Sequence, residues 1–173
     1  MLEGETTHED NMGNKEVLGI GEVQCITTGT GIEHSEFNRG KELLHFYQIW
    51  ILPCRDRLEP KYSKKKFETS SWENRLIPLV SGQNLEGALK MNADATIYRA
   101  TLKRRYILHF NPEENRLILI YLSAGELFVN GQRLGQGDQA RIELERTLHL
   151  QTDSSAVPAE IILIDVPPAS SEI

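Results

Sequence analysis

His34 and Glu36 stand two residues apart in the stretch GTGIEHSEFN, residues 29–38. On a strand, residues two apart point to the same face, so an imidazole and a carboxylate would project side by side. That makes them candidate metal ligands, and half of a site rather than a whole one. The plain alternative is that both are ordinary strand residues. Other histidines are weaker candidates. His8 reads as a hydrogen-bonded strand residue, and His45, inside the apolar run LLHFYQIW, as a satisfied interior one. His149 is followed by Gln151 and Thr152 where a carboxylate would be needed, so it completes no second site. Gly29 and Gly31 precede no helix and are turn glycines, not a phosphate cradle.

The elements that must position these residues are strands. Short runs rich in Ile, Val, Leu, Tyr and Phe alternate with glycine-containing turns, the pattern of an all-β chain. Strands are predicted at 5–9, 15–18, 23–27 and, as one long strand, 43–52. Further strands are predicted at 88–91, 95–101, 106–110, 117–122, 126–129, 141–144, 147–151 and 160–166. Asn130-Gly131 is a type I′ hairpin signal. The segment 53–75, rich in Lys, Arg, Glu and Ser, reads as a linker or excursion, with Lys64, Lys65 and Lys66 in a solvated loop and one short helix within 64–72. Trp50 and Trp72, with Phe46 and Tyr47, read as core residues or as the lining of an apolar pocket for a planar molecule.

Two halves share a skeleton. Gly4-Glu5 and Gly21-Glu22 in the first match Gly125-Glu126 and Gly137-Asp138 in the second, which suggests an internal duplication. The second half has several strands before its first such turn and the first half has three residues, so the first barrel is expected to be incomplete. The expected domains are 1–75, a partial barrel plus linker, and 76–173.

The stretch THEDNMGNKEVLGIGEVQCITTGTGIEHSEFN, with LLHFYQIWILP, KYSKKKF, NADATIYRA and IILIDVPP after it, resembles the pirin family of bicupins, close to the bacterial members that act as quercetin 2,3-dioxygenases. The resemblance runs over essentially the whole chain. It implies an all-β fold of tandem cupin barrels with a metal, usually iron, in the first only. The implied ligands are a His-x-His pair on an early strand, then a histidine and a glutamate that fall on His34 and Glu36. The His-x-His pair lies upstream of LEGE, so the resemblance implies an N-terminally truncated chain. Such a mixture of imidazole and carboxylate suits non-haem Fe(II) or a similar divalent metal. Glu36 would also serve as catalytic base toward a flavonol hydroxyl. The implied function is a flavonol dioxygenase relative, weak or inactive in this chain; the alternative is a non-catalytic protein-interaction or transcription-regulatory module.

Bulk properties fit a soluble, cytoplasmic protein. Of the 173 residues, 39% are hydrophobic and 25% charged. The net charge of -6 argues against a nucleic-acid surface. No apolar run approaches the roughly 20 residues of a membrane helix, and the acidic start MLEGETTHED is no secretory signal. Cys25 and Cys54 are too few for a disulfide framework and read as inert, half-buried thiols in a reducing compartment. The expected partners are a flavonol-type small molecule and a protein, with no direct nucleic acid and no membrane.

Overall fold

The computed structural model describes residues 1–154 and 157–168. The elements are β1 (Thr6–Asp10), β2 (Lys15–Leu18), β3 (Glu22–Thr27), β4 (His34–Phe37), β5 (Lys61–Lys66), β6 (Ile77–Ser81), β7 (Leu89–Lys90), β8 (Thr96–Leu102), β9 (Ile107–Phe110), β10 (Leu117–Ala124), β11 (Glu126–Val129), β12 (Gln132–Gly135), β13 (Gln139–Glu143), β14 (Leu148–Gln151) and β15 (Ala159–Val166). A 3-10 turn, Thr69–Trp72, is the one helical element among the described residues. None of the described helices is long and apolar enough to cross a membrane. The chain is thus all-β with cupin-type sheets. It divides into two compact units: residues 1–69 with 89–93, and residues 70–88 with 94–173.

The second unit is built on alternation. A sheet with the order β13-β10-β15-β8-β6 and a sheet with the order β12-β11-β14-β9 supply its strands. Ile118, Ile120 and Leu122 of β10 are buried while the residues between them are not. Leu127, Leu148, Leu150, Ile161 and Leu163 join them in one cluster with almost no exposure. That apolar interior is the main source of stability available to the unit, at about 25 cal/mol for each Å² removed from water.

The first unit is smaller and its interior is polar. β2-β1-β4 form one antiparallel sheet and β3-β5 another. The β1–β4 register sets His8 opposite Glu36 and Asp10 opposite His34, so all four share a face. Buried Leu18 and Thr6 lie on that same face, at the other end of β1.

The same turn recurs in both units. Glu22 N–H donates to Gly19 O while the Glu22 carboxylate accepts from Gly19 N–H at 2.7 Å. Asp138 N–H donates to Gly135 O and its carboxylate accepts from Gly135 N–H at 2.8 Å. Gly21 and Gly137, the middle residues, both hold positive φ. Gly4 and Gly125 are a second matching pair, at φ +69° and +80°, each pressed against the backbone of another segment.

Several expectations need correction. The run 43–52 is not a strand: among the described residues its one bridge is His45 with Glu3, and Leu43, Trp50 and Leu52 are exposed. An apolar run has strand propensity, but a strand needs a partner ladder, and among the described residues none lies along it. His45 is therefore exposed, not interior, and Trp50 at 87% exposure is no core residue, whereas Trp72 is buried beneath the Arg99 guanidinium. Residues 53–75 are not a plain linker, because Lys61–Lys66 pairs along its length with β3. Lys64 sits on that strand, bonded to Glu16, and not in a loop. Cys54 is exposed while Cys25 is partly buried, which pushes the Cys25 thiol up.

Candidate metal and oxygenase site

The site grows from the shared face of β1 and β4, which looks toward Gln24 of β3 and Tyr62 of β5. His8 is its centre. The ring is fully buried, and its Nε2 lies 3.0 Å from Asp10 Oδ2. The ring stacks on Tyr62 with centroids 4.6 Å apart, and the His34 ring lies 5.5 Å away. The Glu36 carboxylate comes within 4.0 Å of His8 Nδ1 and accepts a short hydrogen bond from the Gln24 amide. His34 and Glu36 thus each approach His8, one ring to ring and the other at Nδ1. Glu36 is mostly buried, while His34 is exposed.

Around this centre the polar groups are unevenly satisfied. Asp10 is saturated: besides His8 it accepts from Met12 N–H and from both the backbone and side-chain nitrogens of Asn14. Burial opposes its charge, but the bonds from His8 and Asn14 outweigh this and hold its carboxyl down to about 2. By contrast, His8 Nδ1, Gln24 Oε1 and the Tyr62 hydroxyl are buried without a protein partner among the described groups. Burial, then the nearby Glu16, Asp10, Glu36 and Glu22, push the Tyr62 hydroxyl up to about 12, so it remains a neutral donor. Orphaned buried polar atoms are rare in folded proteins and, where clustered, mark a place for water or a ligand.

Asp10 carries a pH prediction. Its folded value of about 2 lies below the ordinary 3.8, so its ionised form stabilises the first unit above about pH 4. That contribution fades as pH falls from 4 toward 2. Urea midpoints between pH 2 and 5, followed by hydrogen exchange of the β1 and β4 amides, should drop with acid in the native chain. Asp10→Asn should be weaker at neutral pH and lose most of that slope.

Sequence spacing pointed to His34 and Glu36 and did not single out Gln24, Tyr62 or the His8–Asp10 pair. His8 was rightly a hydrogen-bonded strand histidine; its partner was readable, since Asp10 sits two residues on and must share its face. Tyr62 was hidden because 53–75 reads as a linker or excursion.

Two family models match this chain: Pirin over residues 1–51 and the quercetinase C-terminal cupin domain over residues 78–166. A quercetin 2,3-dioxygenase of Escherichia coli K12 is 35% identical over 170 residues, covering 97% of this chain and 71% of that protein. The chain belongs to the pirin family. A pirin-like protein of Caulobacter vibrioides is 33% identical, covering 94% of this chain and 69% of its own length. Among solved pirins, YhhW from Escherichia coli superposes with a TM-score of 0.88 at 32% identity, covering 97% of this chain and 70% of that one. A second structure, the same protein in complex with nickel(II), gives 0.87.

The donors present fit a metal only in part. His34 and Glu36 offer an imidazole and a carboxylate of the right class. Among the described residues, no three or more His, Cys, Asp or Glu side chains are grouped to hold a metal ion.

Proposed function

We propose that the polar space around His8 is an oxygenase site of the quercetin 2,3-dioxygenase kind, and that this chain alone works it weakly or not at all. The observation that carries the reading is the placement of His34 and Glu36 beside a buried cluster with three unpartnered polar atoms. His34 and Glu36 are the metal ligands in this proposal, iron being the metal. Gln24 fixes the Glu36 carboxylate, which also serves as base toward a flavonol hydroxyl. Tyr62 and Gln24 offer a donor and an acceptor to a polyphenol. Two free cysteines suit a reducing cytoplasm.

With two protein donors an ion stays largely hydrated and leaves readily. Purified chain should hold well below one equivalent of iron and consume little dioxygen with quercetin. Close to one equivalent of tightly held metal with steady dioxygen uptake, both lost in His34→Ala and Glu36→Ala, would overturn the weak-site reading and make the chain a working dioxygenase. A second reading, a non-catalytic interaction module, is favoured by the exposed apolar side chains Leu43, Trp50 and Leu52. Quercetin that binds without turnover supports a disabled oxygenase site; no quercetin binding at all supports the module.

A further inference from the structure

The second unit carries a pair of imidazoles on the face of β9 and β14 turned away from its apolar core. His109 of β9 and His149 of β14 are directly opposite in the antiparallel register. Both are exposed, while Leu148 and Leu150 on either side of His149 point into the core. The ring centroids lie 4.8 Å apart with the planes 85° to one another.

The backbone makes this closeness a fixed feature. His149 directs its carbonyl to Asn130 N–H and its own N–H to the Asn130 side chain, toward β11. In an antiparallel strand one residue's N–H and C=O point the same way, so neither faces β9. The His109–His149 pair is thus a non-hydrogen-bonded one, the kind with the closer Cα atoms, about 4.5 Å apart. Two side chains rooted so near each other have little freedom to separate.

An ion bound at about 2.0–2.1 Å from an imidazole nitrogen lies about 3.2 Å from the ring centre, so two rings on one ion at about 90–110° have centres about 4.5–5.2 Å apart. The observed separation falls inside that interval. We infer that His109 and His149 form an external two-imidazole site for a borderline divalent cation such as Cu²⁺, Ni²⁺ or Zn²⁺, with water completing the shell. Imidazole selects these ions over Mg²⁺ and Ca²⁺, which want oxygen. The site shares no residue with His34 and Glu36.

The test is a titration of the full chain with Cu²⁺, read by paramagnetic broadening of backbone amides. Substoichiometric Cu²⁺ should broaden residues 107–110 and 148–151 first, and should do so equally in His34→Ala/Glu36→Ala. Because the strands tether both donors, either His109→Ala or His149→Ala should weaken binding at this site about a hundredfold. His109→Gln, which keeps a similar exposed side chain, should behave as His109→Ala does, and Mg²⁺ should perturb neither strand. Broadening confined to β1 and β4 would overturn the site. So would a single-histidine variant that retains native affinity, which would mean binding by one imidazole alone.

Discussion

Arg116→Leu is expected to remove about 3–5 kcal/mol from the second unit, enough to unfold most of it at physiological temperature. Arg116 is 7% exposed and clamps two carboxylates. Its Nε lies 2.5 Å from Asp165 Oδ1, and its Nη1 lies 2.8 Å from Asp94 Oδ2. Nη2 also donates to the Asp94 and Asp165 carbonyl oxygens. The hydrogen bond from Arg116 holds the Asp94 carboxyl below its usual range. The Asp165 side chain, on the central strand β15, is 6% exposed, and burial pushes its carboxyl up against the pull of Arg116. Without the guanidinium its charge stays buried and uncompensated, which is the costly outcome. Arg116→Leu/Asp165→Leu should recover much of the loss, because the charge and its partner leave together. Urea unfolding followed by circular dichroism measures both. A loss below about 1 kcal/mol in the single variant would show that the pair does not hold the sheet.

The second large effect is at a glycine. Gly125→Ala should cost about 3 kcal/mol or more, because the αL strain of about 1–3 kcal/mol is joined by a collision. An added Cβ would overlap the Pro158 carbonyl oxygen and sit 2.8 Å from its carbon, and backbone cannot turn aside as a side chain can. Gly4→Ala repeats the case in the first unit, against Leu43. Gly137 gives the matched control: its φ is +87°, yet nothing lies within 4 Å of the added methyl. Gly137→Ala should therefore cost only about 1 kcal/mol, the backbone part alone. Thermal midpoints of the three variants rank the collision against the strain. Equal losses at Gly125 and Gly137 would remove the contact from the explanation.

These contrasts show what was legible beforehand. Short apolar runs between turns marked β10, β11, β14 and β15, and in β14 strict alternation of Leu with a polar residue shows the period of two that one-sided burial enforces. The G-[ED] turns were visible because positive φ favours glycine and the carboxylate must return to the chain three residues back. β5 was not legible, since KYSKKK contains no apolar run; it is held by pairing with β3 and by Lys64 reaching Glu16 and Glu22. The opposite error arose at LLHFYQIWIL, where propensity was strong and the ladder was missing. At the candidate site, local spacing could join His34 to Glu36 and His8 to Asp10. It could not join the two pairs, or bring Tyr62 and Gln24 to them, because that depends on which strands become neighbours.

The run from Leu43 to Leu52 also sets the colloidal behaviour of this chain. Its apolar side chains stay in water at Leu43, Trp50 and Leu52, and its backbone has no strand ladder along it. Such a segment can template strands from another molecule. Mutual repulsion from the net charge of -6 opposes such association, and it acts across a Debye length of about 10 Å at 0.1 M salt. Raising ionic strength shortens that reach while leaving the exposed apolar surface untouched. Salt, which often keeps acidic proteins dispersed, here moves the chain toward clumping, and acidification toward its isoelectric point near 5.4 does the same.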